Sequence, residues 1–298
     1  MIIDCHTHLL PRQVMADRTE FVQKDKAFGS LFSSTKAKIA SQDEMLAYLD
    51  KTGIDKAIVF GFPWEDYELA AQNNDEIWDF HERYPNRILP FATFSILEPE
   101  LAHKECSRTL SGGFFGLGEL AMYRNGWGST DFESLRTCLE LAQHHRAPVM
   151  IHVNEPVGHD YPGKIFVDLK GLLRTIADFQ QIDFILAHFG GGFFIYSLMP
   201  EIGRSMKRVY VDTAAAPFLY DSRIFSVAVQ SLGEDKVLWG SDFPLLGFER
   251  YQMMLDQANV KGNLRAKILG GNVEEILNRR CEQKVDKQDL DEVGSVLA

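Results

Sequence analysis

Two histidines one residue apart, His6 and His8, follow an apolar start in Ile2-Ile3-Asp4-Cys5-His6-Thr7-His8. In a β-strand, side chains at i and i+2 point to the same face. The two imidazoles would then converge on one point, each offering a nitrogen lone pair to a metal ion. A lone His-x-His pair can equally be two core histidines with satisfied hydrogen bonds, so the rest of the chain has to decide. Groups of ligand type recur at the ends of other apolar runs. His152 ends Pro148–Ile151, His188 ends Phe184–Ala187, Asp242 follows Val237–Ser241, and Glu119 lies near the end of Phe114–Leu120.

The elements that must position these groups are short apolar runs alternating with longer amphipathic segments. Strand candidates are Ile2–His6, Lys56–Gly61, Ile88–Thr93, Phe114–Leu120, Pro148–Val153, Asp183–His188, Arg208–Asp212 and Val237–Asp242. Most are almost continuously apolar, the pattern of parallel strands covered by helices on the outside. Ser41-Gln42-Asp43-Glu44 reads as a capping box, with Gly53 ending the helix it opens. Further helices are expected at Tyr67–Arg83, Pro99–Leu110, Phe132–His145, Leu169–Gln180, Tyr196–Met206, Ser222–Leu232 and Tyr251–Ala258. Residues 9–40 read as a long first loop with some local structure.

Eight strand-helix units predict one (β/α)8 TIM barrel over residues 1–280, followed by a polar C-terminal tail at 281–298. A doubly wound open sheet is the rival, but no G-x-G-x-x-G follows a strand to mark its switch point. In a barrel, the carboxyl ends of the strands line the active-site mouth. Five strands would bring ligand-type side chains to that one rim.

The bulk numbers bound the partners. A formal net charge of −11 without a basic run argues against nucleic acid and for a soluble chain. The four cysteines, Cys5, Cys106, Cys138 and Cys281, form no C-x-x-C and suggest no disulfide framework. A reduced, cytoplasmic protein is expected, without signal peptide or membrane span. A homo-oligomer is compatible with the sequence.

Together these segments resemble the amidohydrolase superfamily, in the amidohydrolase-related (amidohydrolase 2) branch of metal-dependent TIM-barrel hydrolases and decarboxylases. The resemblance is carried by Asp4-Cys5-His6-Thr7-His8, Met150-Ile151-His152, Leu186-Ala187-His188-Phe189-Gly190-Gly191 and Leu238-Trp239-Gly240-Ser241-Asp242-Phe243-Pro244. Residues 268–277, Ile-Leu-Gly-Gly-Asn-Val-Glu-Glu-Ile-Leu, resemble the closing helix of that branch. The resemblance implies that His6, His8, His152, His188 and Asp242 surround one or two divalent ions. Relatives carry a carboxylated lysine, a glutamate or no ligand on the fourth strand. Glu119 is therefore a further candidate ligand, or else a buried carboxylate paired with Arg124.

Other residues have plainer readings. Cys5 falls opposite the histidines by strand alternation and belongs to the core. His81, His103, His144 and His145 lie in expected helices as surface or packing residues. Asp212 ends the seventh strand, where it would bind substrate or orient a ligand histidine. The loop 153–164, rich in Gly and Pro, is a rigid surface loop or a wall of the substrate pocket. In the second case Asn154, His159 and Lys164 are candidate substrate contacts, with Arg124 a fourth.

The first functional expectation is a hydrolase acting on an amide, lactone or ester of a small polar or acidic substrate. A divalent ion, zinc first and manganese, iron or nickel next, would lower the pKa of a bound water from ~15.7 towards ~7. Asp242 would take the proton and return it to the leaving group. The alternative is a decarboxylase of an aromatic or unsaturated acid. From another class comes a non-catalytic, metal-binding barrel.

Overall fold

The computed structural model describes residues 1–280. The expected tail at 281–298, with Cys281, lies outside the described residues. Eight parallel strands run in chain order around one sheet: β1 (Ile3–His8), β2 (Lys56–Phe60), β3 (Ile88–Ala92), β4 (Gly116–Leu120), β5 (Val149–Ile151), β6 (Phe184–Leu186), β7 (Val209–Asp212) and β8 (Val237–Leu238). Backbone bonds bring the last strand back to the first. Cys5 N donates to Trp239 O at 3.0 Å, Asp242 N to His6 O at 2.9 Å and His8 N to Phe243 O at 2.8 Å. The approach at this seam is close: a Cβ on Gly240 would lie 2.5 Å from the His6 Cβ. The TIM barrel expected from the alternation of elements is the fold observed.

Local chemistry explains the helices. The Ser41–Glu44 capping box forms reciprocally, with Ser41 N donating to Glu44 Oε2 at 2.8 Å and Glu44 N to Ser41 Oγ at 3.2 Å. Gly53 ends that helix, Gln42–Thr52, at φ 70°. Three expectations need correction. Residues 9–40 contain the helices Arg12–Ala16, Arg18–Lys24 and Lys26–Phe32, the last two N-capped by Asp17 and Asp25. The segment read as one helix at 132–145 is two, Ser129–Ser134 and Arg136–His144. The helix expected at Tyr196–Met206 is reduced to Pro200–Gly203 and a short helical turn at Met206–Arg208, after tight turns with positive φ from His188 to Gly192. Three consecutive glycines and a proline override the apolar periodicity there.

The interior of the barrel is a packed core. Ile3, Cys5, Phe60, Phe91, Met150 and Ile185 meet across it. Val273, Ile276 and Leu277, in the helical segment 272–280, plug its amino-terminal end. A second, larger apolar layer fills the space between the sheet and the outer helices.

Two β-bulges then decide what faces the other end. Between β1 and β2, Asp4 pairs with Ala57 and Thr7 with Val59, so three steps on β1 match two on β2. The extra residue reverses the parity of the strand. Below it Ile3 and Cys5 point inward. Above it the His6 and His8 rings point inward and pack on the Phe60 ring at 4.9 and 4.7 Å. Simple alternation puts Cys5 opposite the histidines, whereas the bulge leaves all three inside the barrel.

The same device operates on β4. Leu117 pairs with Val149 and Leu120 with Ile151. Both leucines belong to the outer layer. Strict alternation would send Glu119 outward with Leu117, but the bulge turns it in. Gly118 makes the bulge at φ +126°, and a Cβ there would lie 2.6 Å from the Met150 carbonyl oxygen. Gly118→Ala is therefore expected to cost at least about 1–3 kcal/mol of stability in urea unfolding. The residual folded protein should bind metal more weakly, because Glu119 loses its aim. Wild-type stability in that variant would show that the bulge has no such steric requirement.

Candidate metal centre

The carboxyl ends of β1, β4, β5, β6 and β8 bring His6, His8, Glu119, His152, His188 and Asp242 together. Each histidine has its outer ring nitrogen committed to an acceptor. His6 Nδ1 lies 2.8 Å from Asp212 Oδ2, His8 Nδ1 3.2 Å from Gly61 O, and His188 Nδ1 3.0 Å from Ala214 O. His152 is turned the other way, with Nε2 2.9 Å from Gly163 O. Carbonyl oxygens and the Asp212 carboxylate accept hydrogen bonds, so these outer nitrogens carry the protons. The neutral tautomers then point four lone pairs inward: Nε2 of His6, His8 and His188, and Nδ1 of His152.

Those lone pairs crowd one another and the carboxylates. His6 Nε2 and His8 Nε2 are 3.2 Å apart, and His188 Nε2 is 3.1 Å from His152 Nδ1. Glu119 stands between the two pairs. Its Oε2 is 3.8 Å from both His6 and His8, while Oε1 is 3.0 Å from His152 and 3.3 Å from His188. Asp242 Oδ1 closes the first pair at 3.3 Å from His8 and 3.8 Å from His6. Acceptors at these separations repel unless a cation lies among them. Three donor sets have atoms mutually within 4.8 Å: His6, His8 and Glu119; His6, His188 and Asp242; and Glu119, His152 and His188. This chemistry fits a divalent ion, with imidazole and carboxylate ligands and fixed outer partners.

Electrostatics say the same. Burial opposes charge on His6, yet Asp212 and Glu119 beside it raise the imidazole to about 9. Burial likewise opposes charge on His188, and Glu119 and Asp242 raise it to about 10. Burial pushes Asp242 up, but the hydrogen bond with His8 and the charge of His6 bring it down to about 2. Glu119 is held well below the carboxylate range, where His152 and His6 overcome its burial. Without a metal, the pocket collects protons.

Asp212 takes the orienting role of the two left open by the sequence. Besides His6, it accepts from the backbone N–H of His188 at 2.9 Å through Oδ1. Of the four candidate substrate contacts, only His159 reaches the cavity above the cluster. Asn154 instead pins the base of its loop, accepting from Ile165 N and donating to Ile165 O, each at 2.8 Å. Lys164 donates to the carbonyls of Val157 and His159 at 2.7 and 3.0 Å and braces the loop. Arg124 pairs with Glu65 at 3.2 Å, away from both Glu119 and the cavity. These three side chains do not line the cavity and are directed instead to the local backbone or to a nearer acid.

Sequence reasoning missed Tyr123. Its hydroxyl donates to Glu119 Oε2 at 3.2 Å, and its ring stacks on Phe62 at 5.4 Å and meets His152 edge-on at 5.2 Å. Its place four residues past Glu119 was the available signal, and tyrosine after a strand is too common to single out. The cavity measures about 600 Å³ and is walled by Phe32, Phe62, Tyr123, Tyr161, Phe218 and aliphatic side chains. Its floor is His8, Glu119, His152, His188 and Asp242.

The family model described as Amidohydrolase matches residues 3–279, and the chain belongs to that family. Among solved structures, 5-carboxyvanillate decarboxylase from Sphingomonas paucimobilis is similar with TM-score 0.74 and 15% identity, over 93% of this chain and 98% of that one. A dihydroxybenzoic acid decarboxylase from Polaromonas sp. JS666, with bound manganese and the inhibitor 2-nitroresorcinol, gives TM-score 0.69 and 20% identity over 93% and 96%. A protein named amidohydrolase II gives TM-score 0.70 and 18% identity over 93% and 100%. At these identities the likeness is one of fold. No match is found among curated protein sequences. No helix among the described residues is long and apolar enough to cross a membrane.

The raised imidazoles set a sign for metal binding. Below about 9, His6 holds a proton in the metal-free protein, and an ion must displace it. Apparent affinity for Mn²⁺ should therefore rise with pH up to that range. Calorimetry in buffers of different ionisation enthalpy should report proton release. Binding without proton release, or affinity flat from pH 6 to 9, would remove these histidines from the ligand set.

Proposed function

We propose that the chain is a metal-dependent carboxy-lyase that removes CO₂ from a small aromatic or unsaturated acid. The observation that carries this reading is the cavity: aromatic walls that suit a flat apolar ring, ending on a floor of imidazole nitrogens and carboxylates. The decarboxylases of the same fold support it, one of them holding manganese beside a nitroaromatic inhibitor. They favour this alternative over the hydrolase that the motifs first suggested, and the ion they support is manganese, not the zinc placed first on the sequence.

His6, His8, Glu119, His152, His188 and Asp242 would hold one or two divalent ions. An ion held there would supply Lewis acidity toward the anionic oxygens of the substrate. Asp212 holds His6 in the tautomer that keeps Nε2 free. Asp242, 14% exposed, borders both the cluster and the cavity. In this reading Asp242, ionised at rest, relays a proton: it takes one from solvent at the mouth of the cavity and passes it to the carbon, where a C–H bond forms as the C–C bond to the carboxylate breaks and CO₂ leaves. The apolar walls exclude water from that carbon.

Hydrolysis is the second reading, favoured by Glu119. One of its oxygens faces each histidine pair, the placement of a carboxylate shared by two ions. Manganese-loaded protein should release CO₂ from its acid substrate without incorporating ¹⁸O from labelled water. Labelled oxygen in the product would select hydrolysis. In either reaction Asp242→Asn should lower kcat by about 10²–10⁴-fold with the metal retained. Wild-type turnover in that metal-loaded variant would sink the proton-transfer role. Full activity after complete metal removal would sink both readings and leave a barrel that uses metal only for structure.

A further inference from the structure

The cavity is chemically polarised along its depth. Its acidic lining residues, Glu119 and Asp242, both belong to the floor. Among the described residues, lysine enters its lining only as Lys36 and Lys38, from the segment after the helix Lys26–Phe32, and His159 joins them from the loop after β5. Between floor and rim the walls are apolar and aromatic. In a chain of net charge −11, a rim with lysines and no acid is a local reversal of sign.

The rim cations are available. Lys38 Nζ donates to Leu245 O at 3.0 Å, which anchors it beside a wall residue of the cavity and leaves its other N–H groups free to donate. Lys36 is exposed, and its ammonium has no hydrogen-bond or ion-pair partner among the described residues. Lys164, by contrast, does not line the cavity and directs two of its three N–H groups to its own loop.

We infer that the cavity takes a substrate with two acidic ends. One end meets the metal centre, an aromatic or unsaturated body lies against Phe62 and Tyr123, and the second acidic group is held at the rim by Lys36 and Lys38, with His159 also in the lining. This deepens the proposed carboxy-lyase reading and rests on it for the orientation of the substrate. It places the chemistry at the buried end and uses the rim to choose dianions over monoanions.

Equilibrium binding tests the inference without turnover. Manganese-loaded full-length protein is titrated calorimetrically with benzoate and with terephthalate, acids that share a ring and one carboxylate and differ in the second. Terephthalate is expected to bind on the order of tenfold more tightly, as charge-assisted contacts to two lysines imply. The double variant Lys36→Gln/Lys38→Gln should lose that preference while keeping its metal and its affinity for benzoate. Lys207→Gln, at the opposite end of the barrel, controls for net charge and should keep the preference. Equal affinities in wild type, no terephthalate binding, or a preference that survives the double variant would each overturn the inference. Its failure is separable from that of the reaction: a dianion preference with no CO₂ release from any acid leaves the rim subsite standing and rejects the lyase.

Discussion

The centre depends on one constraint: four imidazoles must present lone pairs to the same small volume. That arrangement holds only because each ring has its other nitrogen anchored outside the cluster. Asp212 and the carbonyls of Gly61, Gly163 and Ala214 supply those anchors. They come from the ends of different strands or from the loop after β5. The barrel is therefore the means by which distant acceptors choose the tautomers of the ligands. Inward repulsion among lone pairs and carboxylates is the counterpart of that choice, and it gives the cluster the donor chemistry of a divalent-ion site.

Backbone geometry serves the same end. His188 and Asp242 follow strands β6 and β8 with φ of 57° and 59°, values uncommon for residues with a side chain. Each such conformation costs on the order of 1–3 kcal/mol. The cost is offset by the surroundings: the backbone N–H of His188 bonds to Asp212, and that of Asp242 bonds across the barrel seam to His6 O. The bulges on β1 and β4 act alike, each giving up regular pairing to turn a ligand inward. Irregular backbone is concentrated where the chemistry is, while the opposite end of the barrel is filled by ordinary apolar packing.

The segment between β1 and the helix Gln42–Thr52 links this centre to what it can bind. Its third short helix carries Phe28 into a cluster with Phe62 and Trp64, which fixes Leu31 and Phe32 over the cavity. The loop after β5 covers another side, braced by Lys164 and pinned by Asn154. Gly163 belongs to both structures, since it lines the cavity and holds His152. Shape above the metal centre and tautomer within it are thus set partly by the same loop.

How much of this was legible in the chain follows from the range of each interaction. Near-continuous apolar runs such as Val149–Ile151 and Phe184–Leu186 announce parallel strands, and the Ser41–Glu44 box announces a helix, because these signals are local. The types and order of His6, His8, Glu119, His152, His188 and Asp242 along the strand ends were also visible. Their directions were not. Alternation alone would point Glu119 away from the site, and the bulge that reverses it is a matter of register against β5. Charge and reach were equally hidden: Arg124, Asn154 and Lys164 look like substrate contacts in sequence, but in space they turn to Glu65, Ile165 and the loop carbonyls. Tyr123 carried only a weak local signal, its place four residues past Glu119, and its contacts with Phe62 and His152 appear only in the folded barrel. The sequence by itself determined a barrel with imidazoles and carboxylates of metal-ligand type at one rim. The tertiary structure decided which nitrogens face inward and which donors remain for a substrate, because hydrogen-bond partners far apart in the chain meet only in the closed barrel.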